Sequence, residues 1–308
     1  MDIEEFLQKE EFAYGLANHP YLANYWKDPN ILERMAGELK RLGIQNILEQ
    51  NPRPDYKALY PSYMDKGKML MPARTRENME SYLELGHLSG ALGDELEISL
   101  VDACSGNGVL GAMIVGVRSS IGRATNCRCV DDDNGFERIV ERTADKLGLQ
   151  SAQLRGIEAD IDKAGLRISS KPTYLVGLKT CEGTHPITRR FIEDDGVELP
   201  DHMCIRPCCH HKISNPELIT LTNGLSKELA SNVGCYKDMV QREDDWIQHE
   251  RLGIEVKSVS FQILRRIIDC LRAAQIAKTG KFNTRVLEVP VEEFGKKSSH
   301  TLVIADKI

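Results

Sequence analysis

The stretch from Ile98 to Gly111 constrains the fold of this 308-residue chain more than any other. An apolar run leads into the acid Asp102, and three glycines in the pattern G-x-G-x-x-G follow, which are Gly106, Gly108 and Gly111. Glycines permit a sharp turn and a close approach of backbone to ligand, while the N–H groups at the start of the next helix stay free to bind it. The stretch therefore predicts a strand, a ligand-binding turn and a helix in succession.

Acidic residues precede the glycines and also end the next apolar segment. Asp102 comes before the turn, and an acidic run from Asp131 to Asp133 follows the segment that begins at Cys127. A dinucleotide-binding fold needs only the second acid, which binds the ribose. An acid before the glycines as well favours S-adenosylmethionine, because the methionine end of this cofactor is cationic and the cofactor has no pyrophosphate. Binding of NAD or FAD, and a turn that binds nothing, are the alternatives.

The composition indicates an ordinary soluble class of protein, with 41% hydrophobic and 28% charged residues. The acidic N-terminus differs from a signal peptide, and no apolar run approaches the roughly 18 residues of a membrane span. Nine cysteines without a regular framework are typical of reduced thiols. We therefore expect a cytoplasmic protein without membrane partners, whose oligomeric state the sequence leaves open.

A formal net charge of −6 argues against a broad, nonspecific surface for nucleic acid. Local basic clusters can still contact phosphates. One cluster, interleaved with tyrosines, comprises Lys57, Lys66, Lys68, Arg74 and Arg76. A second cluster, near the C-terminus, comprises Arg265, Arg266 and Arg272. For the first cluster, a solvated loop is the alternative interpretation.

Strand and helix patterns alternate from Ile98 onwards. The predicted strands are 98–104, 126–131, 152–158, 173–180, 203–208, 285–289 and 300–305, and the predicted helices are 108–118, 134–147, 215–231 and 259–278. Such alternation predicts an α/β fold with a mostly parallel sheet and helices on both faces. Upstream, helix-period patterns cover 2–17, 28–50 and 75–92. We interpret residues 1–75 as a helical accessory segment, a cap, and residues 76–308 as the α/β domain.

In open α/β sheets the carboxyl ends of the strands converge on one crevice, which brings distant residues together. The candidates for cofactor binding are Asp102, Cys104, Gly106, Gly108, Asp131, Asp132 and Asp160. Asp131 suits the ribose hydroxyls because a carboxylate accepts two hydrogen bonds, and Asp160 suits the adenine amino group. For these acids, a solvated loop end is the alternative.

Two cysteines and two histidines follow one another at the end of strand 203–208. Contiguous residues of an extended chain point to opposite faces, so Cys208 and His210 can share a metal ion while Cys209 and His211 cannot join them. A zinc site, a cysteine nucleophile, a general base and a structural role all stay open, and we assign no metal. The candidate catalytic residues are His210, His211, Lys179, Cys181 and Cys208. The histidines and Lys179 are candidates to assist deprotonation of an acceptor hydroxyl.

Three motifs carry a resemblance to a known superfamily, and they are Val101 to Gly111, Gly177 to Gly183 and Pro207 to Lys212. From about Leu83 to its C-terminus the chain resembles the catalytic domain of transfer-RNA 2′-O-ribose methyltransferases that modify the acceptor stem, and related methyltransferase-like proteins. The resemblance implies a Rossmann-like class I methyltransferase fold with a seven-stranded sheet. It also implies S-adenosyl-L-methionine as the cofactor and transfer RNA as the substrate.

The sequence departs from that family in two ways. The zinc modules that precede the family's catalytic domain have no counterpart before Glu97. Lys179 stands where the family's fourth-strand motif has a histidine, and Glu182 stands where it has a glycine. These departures concern the substrate and leave the cofactor loop intact. A protein or small-molecule methyltransferase, and a binding module without catalysis, are therefore the alternatives to an RNA methyltransferase.

Overall fold

The computed structural model describes residues 2–8, 31–43, 48–50, 86, 88–166, 172–178, 180, 183–193, 198–207, 210–231, 233–234, 237–238, 254–293 and 296–308. Within these residues, one sheet is flanked by helices. Its strands are β1 (Leu48–Gln50), β2 (Glu97–Ala103), β3 (Ala124–Asp131), β4 (Leu154–Glu158), β5 (Thr173–Leu178), β6 (His202–Arg206), β7 (Phe282–Glu293) and β8 (Lys296–Lys307). The helices include α1 (Ile3–Gln8), α2 (Ile31–Arg41), α3 (Val109–Ser120), α4 (Phe136–Leu147), α5 (Thr184–Ile192), α6 (Asn215–Leu221) and α7 (Ile254–Ala277), and a 3-10 turn covers His210–Lys212.

The strand order across the sheet is β1-β7-β8-β6-β5-β2-β3-β4. β8 runs antiparallel to both of its neighbours, and the other neighbouring pairs are parallel. From β2 the chain proceeds to β3 and β4 on one side, and it then returns to β5 and β6 on the other. Ligands of such sheets bind outside the carboxyl ends of the strands at this reversal. The Rossmann-like, mostly parallel sheet that the sequence predicts is confirmed.

The described sheet has one strand more than the seven expected. The sequence predicts one helix over 28–50, but α2 ends at Arg41 and Gly43 has a positive φ of 83°. Left-handed backbone of this kind ends helices. The chain then forms β1, which pairs in parallel with β7 and places Leu48 opposite Val286. Three residues are too few to show the alternation that reveals a strand, so the prediction was wrong here.

Neighbouring residues of the strands belong to two different hydrophobic cores. Leu100 and Ile304 pack in the core that α3 and α4 cover, whereas Val101 and Val303 pack in the core that α5 and α7 cover. Side chains of a strand alternate between its two faces, so in a sheet covered on both sides apolar residues are favoured at consecutive positions. This preference explains the continuous apolar runs in the sequence.

The described parts of the N-terminal segment pack into the core beneath α7. Ile3 and Leu7 of α1, together with Met35 and Leu39 of α2, are almost completely buried in this core. These helices therefore stabilise the sheet through the same apolar contacts as the domain itself. The division of the chain at residue 75 stays a prediction.

Helix α7 turns charged residues towards the interior. Arg265, Arg266 and Arg272 are buried. Arg266 pairs with Glu288 of β7 at 3.0 Å, and Arg272 pairs with Glu217 of α6 at 2.9 Å. The expectation that these three arginines contact phosphates was wrong, because their guanidinium groups are covered by the sheet and by α6. In the part of the chain that the structure describes, no helix is long and apolar enough to cross a membrane.

Candidate active site

The loop between β2 and α3 is the centre of the candidate site. Cys104, Gly106 and Gly108 all adopt left-handed backbone, with φ values of 53°, 61° and 71°. These conformations turn the chain sharply from strand to helix and place the first N–H groups of α3 at the carboxyl end of β2. A Cβ atom at Gly106 would meet no heavy atom within 4 Å. The loop therefore faces open space where a ligand would approach.

Gly111, the last glycine of the pattern, serves the packing of α3 on the sheet. A Cβ atom at this position would lie 2.7 Å from Cys127 Sγ and 2.9 Å from Cys129 Sγ, both on β3. Such distances are too short for a real contact. A glycine is therefore needed for the helix to approach the strand this closely.

Asp102 lies buried beneath the loop and joins its two ends. Its Oδ2 accepts hydrogen bonds from the Ser105 hydroxyl at 2.5 Å and from the Gly111 N–H at 2.9 Å. Burial raises the pKa of Asp102 to about 6, and the charge of Asp131 also raises it, while the two hydrogen bonds act in the opposite direction. These contacts organise the loop. The expected attraction of a cationic ligand by Asp102 stays a prediction.

Asp131 ends β3 and contacts the same loop. Its Oδ2 accepts a hydrogen bond from the Gly106 N–H at 2.8 Å, and its Oδ1 accepts one from the Asp133 N–H at 3.3 Å. Asp131 is half-buried, and each carboxylate oxygen has a second lone pair. The carboxylate can therefore also accept hydrogen bonds from ribose hydroxyls. Asp132 and Asp133 are exposed beside it, with the carboxylates within 4.8 Å of one another.

Further acids lie at the same edge of the sheet. Glu158 ends β4 opposite Asp131 and accepts a hydrogen bond from the Gly135 N–H at 2.8 Å. Asp160 follows, with 48% of its side chain exposed and its Oδ2 3.8 Å from Lys163 Nζ. The structure thus brings the candidates on the cofactor side together, although it does not test the assignment of Asp160 to adenine.

The connection between β5 and α5 packs against the cofactor loop. A Cβ atom at Gly183 would overlap Cys104 Sγ, so the backbone of Gly183 packs closely against the side chain of Cys104. Gly183 also donates a hydrogen bond to the Thr180 carbonyl at 2.7 Å. Gly183, and with it Thr180, therefore lies beside the cofactor loop. The candidates Lys179 and Cys181 belong to the same connection, but they lie outside the described residues.

His210 lies in the interior, away from the crevice. Its ring is fully buried, and its Nε2 is 2.9 Å from Asp269 Oδ1. Burial lowers the pKa of His210, while Asp269 acts in the opposite direction. The geometry favours a structural role for this histidine. Cys208 and the side chain of His211 lie outside what the structure describes, so the zinc and catalytic interpretations of this motif stay predictions.

A half-exposed histidine that the sequence analysis missed lies in the first turn of α5. His185 exposes 31% of its side chain, and its Nδ1 is 3.4 Å from Glu217 Oε1. Burial acts to raise the pKa of Glu217, but the hydrogen bond from His185 and the charge of Arg272 outweigh it and lower the pKa. One signal in the sequence was the position of His185, five residues after the end of the predicted strand 173–180, which was already assigned to the crevice.

The described residues fit S-adenosylmethionine. The open space over Gly106 leaves room for a ligand, and the Asp131 carboxylate beside it can accept hydrogen bonds from hydroxyl groups. The N-terminus of α3, which suits phosphate in dinucleotide folds, has Asp102 buried behind it. A carboxyl group in that place suits the cationic end of S-adenosylmethionine better than a pyrophosphate.

Comparison with known protein families finds a match over part of the chain. Residues 82–216 match the family model described as "Methyltransferase domain". This segment contains β2 to β6 and all the candidate cofactor-binding residues. No protein of curated function matches the sequence.

Solved structures of methyltransferases resemble the chain at low sequence identity. Magnesium protoporphyrin IX methyltransferase (ChlM) from Synechocystis PCC 6803, with bound S-adenosylmethionine, is 10% identical with a TM-score of 0.41, over 84% of this chain and 100% of ChlM. TYW2 from M. jannaschii, in complex with S-adenosylmethionine, is 11% identical with a TM-score of 0.39, over 78% and 80%. TrmN from Thermus thermophilus is 11% identical with a TM-score of 0.38, over 80% and 52%. This level of similarity does not select a substrate.

The strand order, the glycine loop and the family match agree with one another. Asp102 and Asp131 flank the loop at the reversal of the sheet, where such folds bind their ligands. Residues 82–216 are therefore similar to a methyltransferase domain, and the fold and the site fit an S-adenosylmethionine-dependent methyltransferase.

Proposed function

We propose that this enzyme methylates RNA, and that its acceptor is a ribose 2′-oxygen of transfer RNA. The order and spacing of the motifs at 101–111, 177–183 and 207–212 carry the proposal, because they resemble those of acceptor-stem methyltransferases. These motifs follow β2, β5 and β6, which are adjacent in the sheet in the order β6-β5-β2. Their carboxyl ends are therefore neighbours, as one substrate crevice requires.

On the cofactor side, each candidate has a proposed part. Asp131 accepts from the ribose hydroxyls with Asp132 exposed on the same rim, and Asp160 accepts from the adenine amino group. The loop containing Cys104, Gly106 and Gly108 lies beneath the ligand. Asp102 holds that loop through Ser105 and Gly111. When bound, S-adenosylmethionine supplies a methyl group attached to a cationic sulfur.

On the acceptor side, the protein has to align the acceptor oxygen and receive its proton. Alignment of this kind contributes roughly 7–11 kcal/mol to lowering a barrier, and a general base about 10²–10⁴-fold in rate. We propose that Lys179, Cys181, Cys208 and His211 line this part of the crevice. His210, bonded to Asp269, then anchors the third motif to α7.

A protein or small-molecule acceptor is the second candidate, and the charge of the described rim favours it. The acids at this edge are Asp131, Asp132, Asp133, Glu158 and Asp160. An acidic rim repels phosphate, and the arginines of α7 are buried. RNA would depend on the basic residues between Lys57 and Arg76, which lie outside the described residues.

The cytoplasmic location expected from the sequence is part of the proposal. Within the described residues, Cys127, Cys129 and Cys270 are buried thiols outside any disulfide, which supports a reducing compartment.

Transfer of labelled methyl groups to separated fractions of a cell extract tests the acceptor. We expect label in the RNA fraction. Digestion of that RNA with nuclease and phosphatase should release the label in 2′-O-methylated nucleosides. Label confined to protein or to small molecules would overturn the RNA proposal and support the second candidate. The Asp131→Ala variant serves as the control, because at a low concentration of labelled cofactor its weaker binding should reduce label in every fraction.

A further inference from the structure

His185 lies in the first turn of α5, after the carboxyl end of β5. It comes two residues after Gly183, which packs against Cys104 of the cofactor loop. The hydroxyls of Thr180 and Thr184 hydrogen-bond at 2.6 Å and hold the turn that precedes it. Among the histidines whose side chains the structure describes, His185 combines partial exposure with a place at the carboxyl edge of the sheet.

One ring nitrogen of His185 is paired with a buried carboxylate. Nδ1 lies 3.4 Å from Glu217 Oε1, and Arg272 Nη2 lies 2.9 Å from the same oxygen. A carboxylate held by a guanidinium stays ionised and can only accept, so Nδ1 carries the proton of this hydrogen bond. The neutral ring then has its lone pair on Nε2, which can accept a proton. In histidine-carboxylate pairs of hydrolytic enzymes, the carboxylate fixes the tautomer in the same way.

A buried series of charged groups holds Glu217 in position. Arg272 bridges Glu217 at 2.9 Å and Asp269 at 3.0 Å. Asp269 also contacts His210 at 2.9 Å and accepts from the Thr301 hydroxyl at 2.6 Å. All of these groups are buried, so solvent does not compete with their contacts. The series connects α7 and β8 to Glu217 of α6, and it restricts rotation of the Glu217 carboxylate.

From this geometry we propose that His185 accepts the proton of the methyl acceptor, and that Glu217 is the positioning residue for its ring. The acceptor oxygen forms a bond to the methyl carbon while the bond between carbon and sulfur breaks, and the electron pair of the broken bond stays on sulfur. The proton of the acceptor hydroxyl goes to Nε2 of His185. This inference rests on the proposed function, because it needs an acceptor that loses a proton.

The His185→Ala variant tests the inference, using labelled S-adenosylmethionine and whichever extract fraction the wild-type protein methylates. We expect turnover to fall about 10²-fold or more, since that is the contribution of a general base. Calorimetric affinity for S-adenosylmethionine should stay at the wild-type value. Added imidazole should restore part of the activity, because it replaces the missing base in the cavity. The Glu217→Gln variant should also be slower, but imidazole should not rescue it.

The His202→Ala variant is the matched control. His202 exposes 30% of its side chain, and its Nδ1 is 3.0 Å from an Asp306 carboxylate, but it begins β6 at the opposite end of the sheet. Its removal should leave turnover unchanged with or without imidazole. Wild-type turnover in His185→Ala, or a defect that imidazole does not relieve, would overturn the inference.

A different result would overturn the proposed function without overturning the role of His185. Methylation of protein or small molecules alone would refute the RNA acceptor, and the His185 variants would still be tested on that fraction. A wild-type enzyme that methylates no fraction would overturn both proposals.

Discussion

Asp131 at the end of β3 accepts a hydrogen bond from the backbone N–H of Gly106, 2.8 Å away in the loop after β2. The two strands are parallel neighbours, so the bond joins two loops at the carboxyl edge of the sheet. The carboxylate therefore helps to shape the glycine loop, and in our proposal it also binds the ribose. Both functions depend on one side chain.

Removal of this carboxylate should weaken cofactor binding. We expect Asp131→Ala to lower the affinity for S-adenosylmethionine by roughly ten- to a hundredfold, because a hydrogen bond to a charged group contributes about 1.5–3 kcal/mol. Calorimetry measures this directly. Asp94→Ala removes the same charge from a fully exposed position before β2, and it should bind normally. Equal affinity of the two variants would show that Asp131 does not hold the cofactor.

Gly111→Ala should destabilise the protein although alanine favours helices. Its Cβ would lie 2.7 Å from Cys127 Sγ in a close-packed interior, and overpacking of this kind typically costs about 1–3 kcal/mol. Gly37→Ala in α2 is the matched control, because its Cβ meets nothing within 4 Å. That variant should gain roughly 0.5–1 kcal/mol from helix propensity alone. Urea unfolding of both proteins decides the point, and a gain in stability for Gly111→Ala would contradict the packing argument.

Much of the fold was predictable because both faces of the sheet are covered. The buried part of a strand such as β2 is then mostly apolar, and Gly148 ends α4 where the sequence places its end, with a φ of 67°. β1 was not predictable, because its three residues are held by the edge of β7 and carry no pattern of their own. Long-range pairing, and not local preference, decides the structure there.

The sequence predicts those parts of the candidate site whose residues belong to one motif. It does not predict the parts in which distant segments of the chain come together. The sequence placed Asp131 correctly at the carboxyl end of β3, whereas its role in cofactor binding stays a prediction. His185 acquires its carboxylate partner from Glu217, which is far along the chain. The arginines of α7 were misassigned because a basic cluster looks the same whether it is solvated or buried. One available signal was Asp269, which lies a helical turn from Arg272 on the same face.

The Arg272→Ala variant tests whether the arginines of α7 form buried ion pairs and do not contact phosphates. We expect Arg272→Ala to lower the free energy of unfolding by about 3–5 kcal/mol, because it leaves Asp269 and Glu217 buried without their cation. Arg34→Ala breaks an exposed pair with Glu228 and should cost at most about 1 kcal/mol. Urea unfolding gives both values. A stable Arg272→Ala protein whose affinity for RNA becomes less dependent on salt would instead favour the original phosphate-contact assignment.

The buried carboxyl group of Asp102 should make stability depend on pH. Its pKa in the folded protein is about 6, against an ordinary value of 3.8, because burial disfavours the charged form. The folded protein therefore holds this proton more tightly than the unfolded chain does. As the pH rises from 3.8 to about 6, the group makes the free energy of unfolding smaller, by up to about 3 kcal/mol.

The Asp102→Asn variant isolates this contribution, since its side-chain oxygen can still accept from Ser105 and Gly111 but does not titrate. We expect the stability of the variant relative to wild type to increase with pH across that window in urea unfolding. A constant difference would show that Asp102 is already ionised below pH 4 in the folded state. Repeating the series with saturating S-adenosylmethionine tests its proposed contact. A cation beside the carboxylate stabilises its charged form and should move the window to lower pH, whereas an Asp102 that only organises the loop should titrate as before.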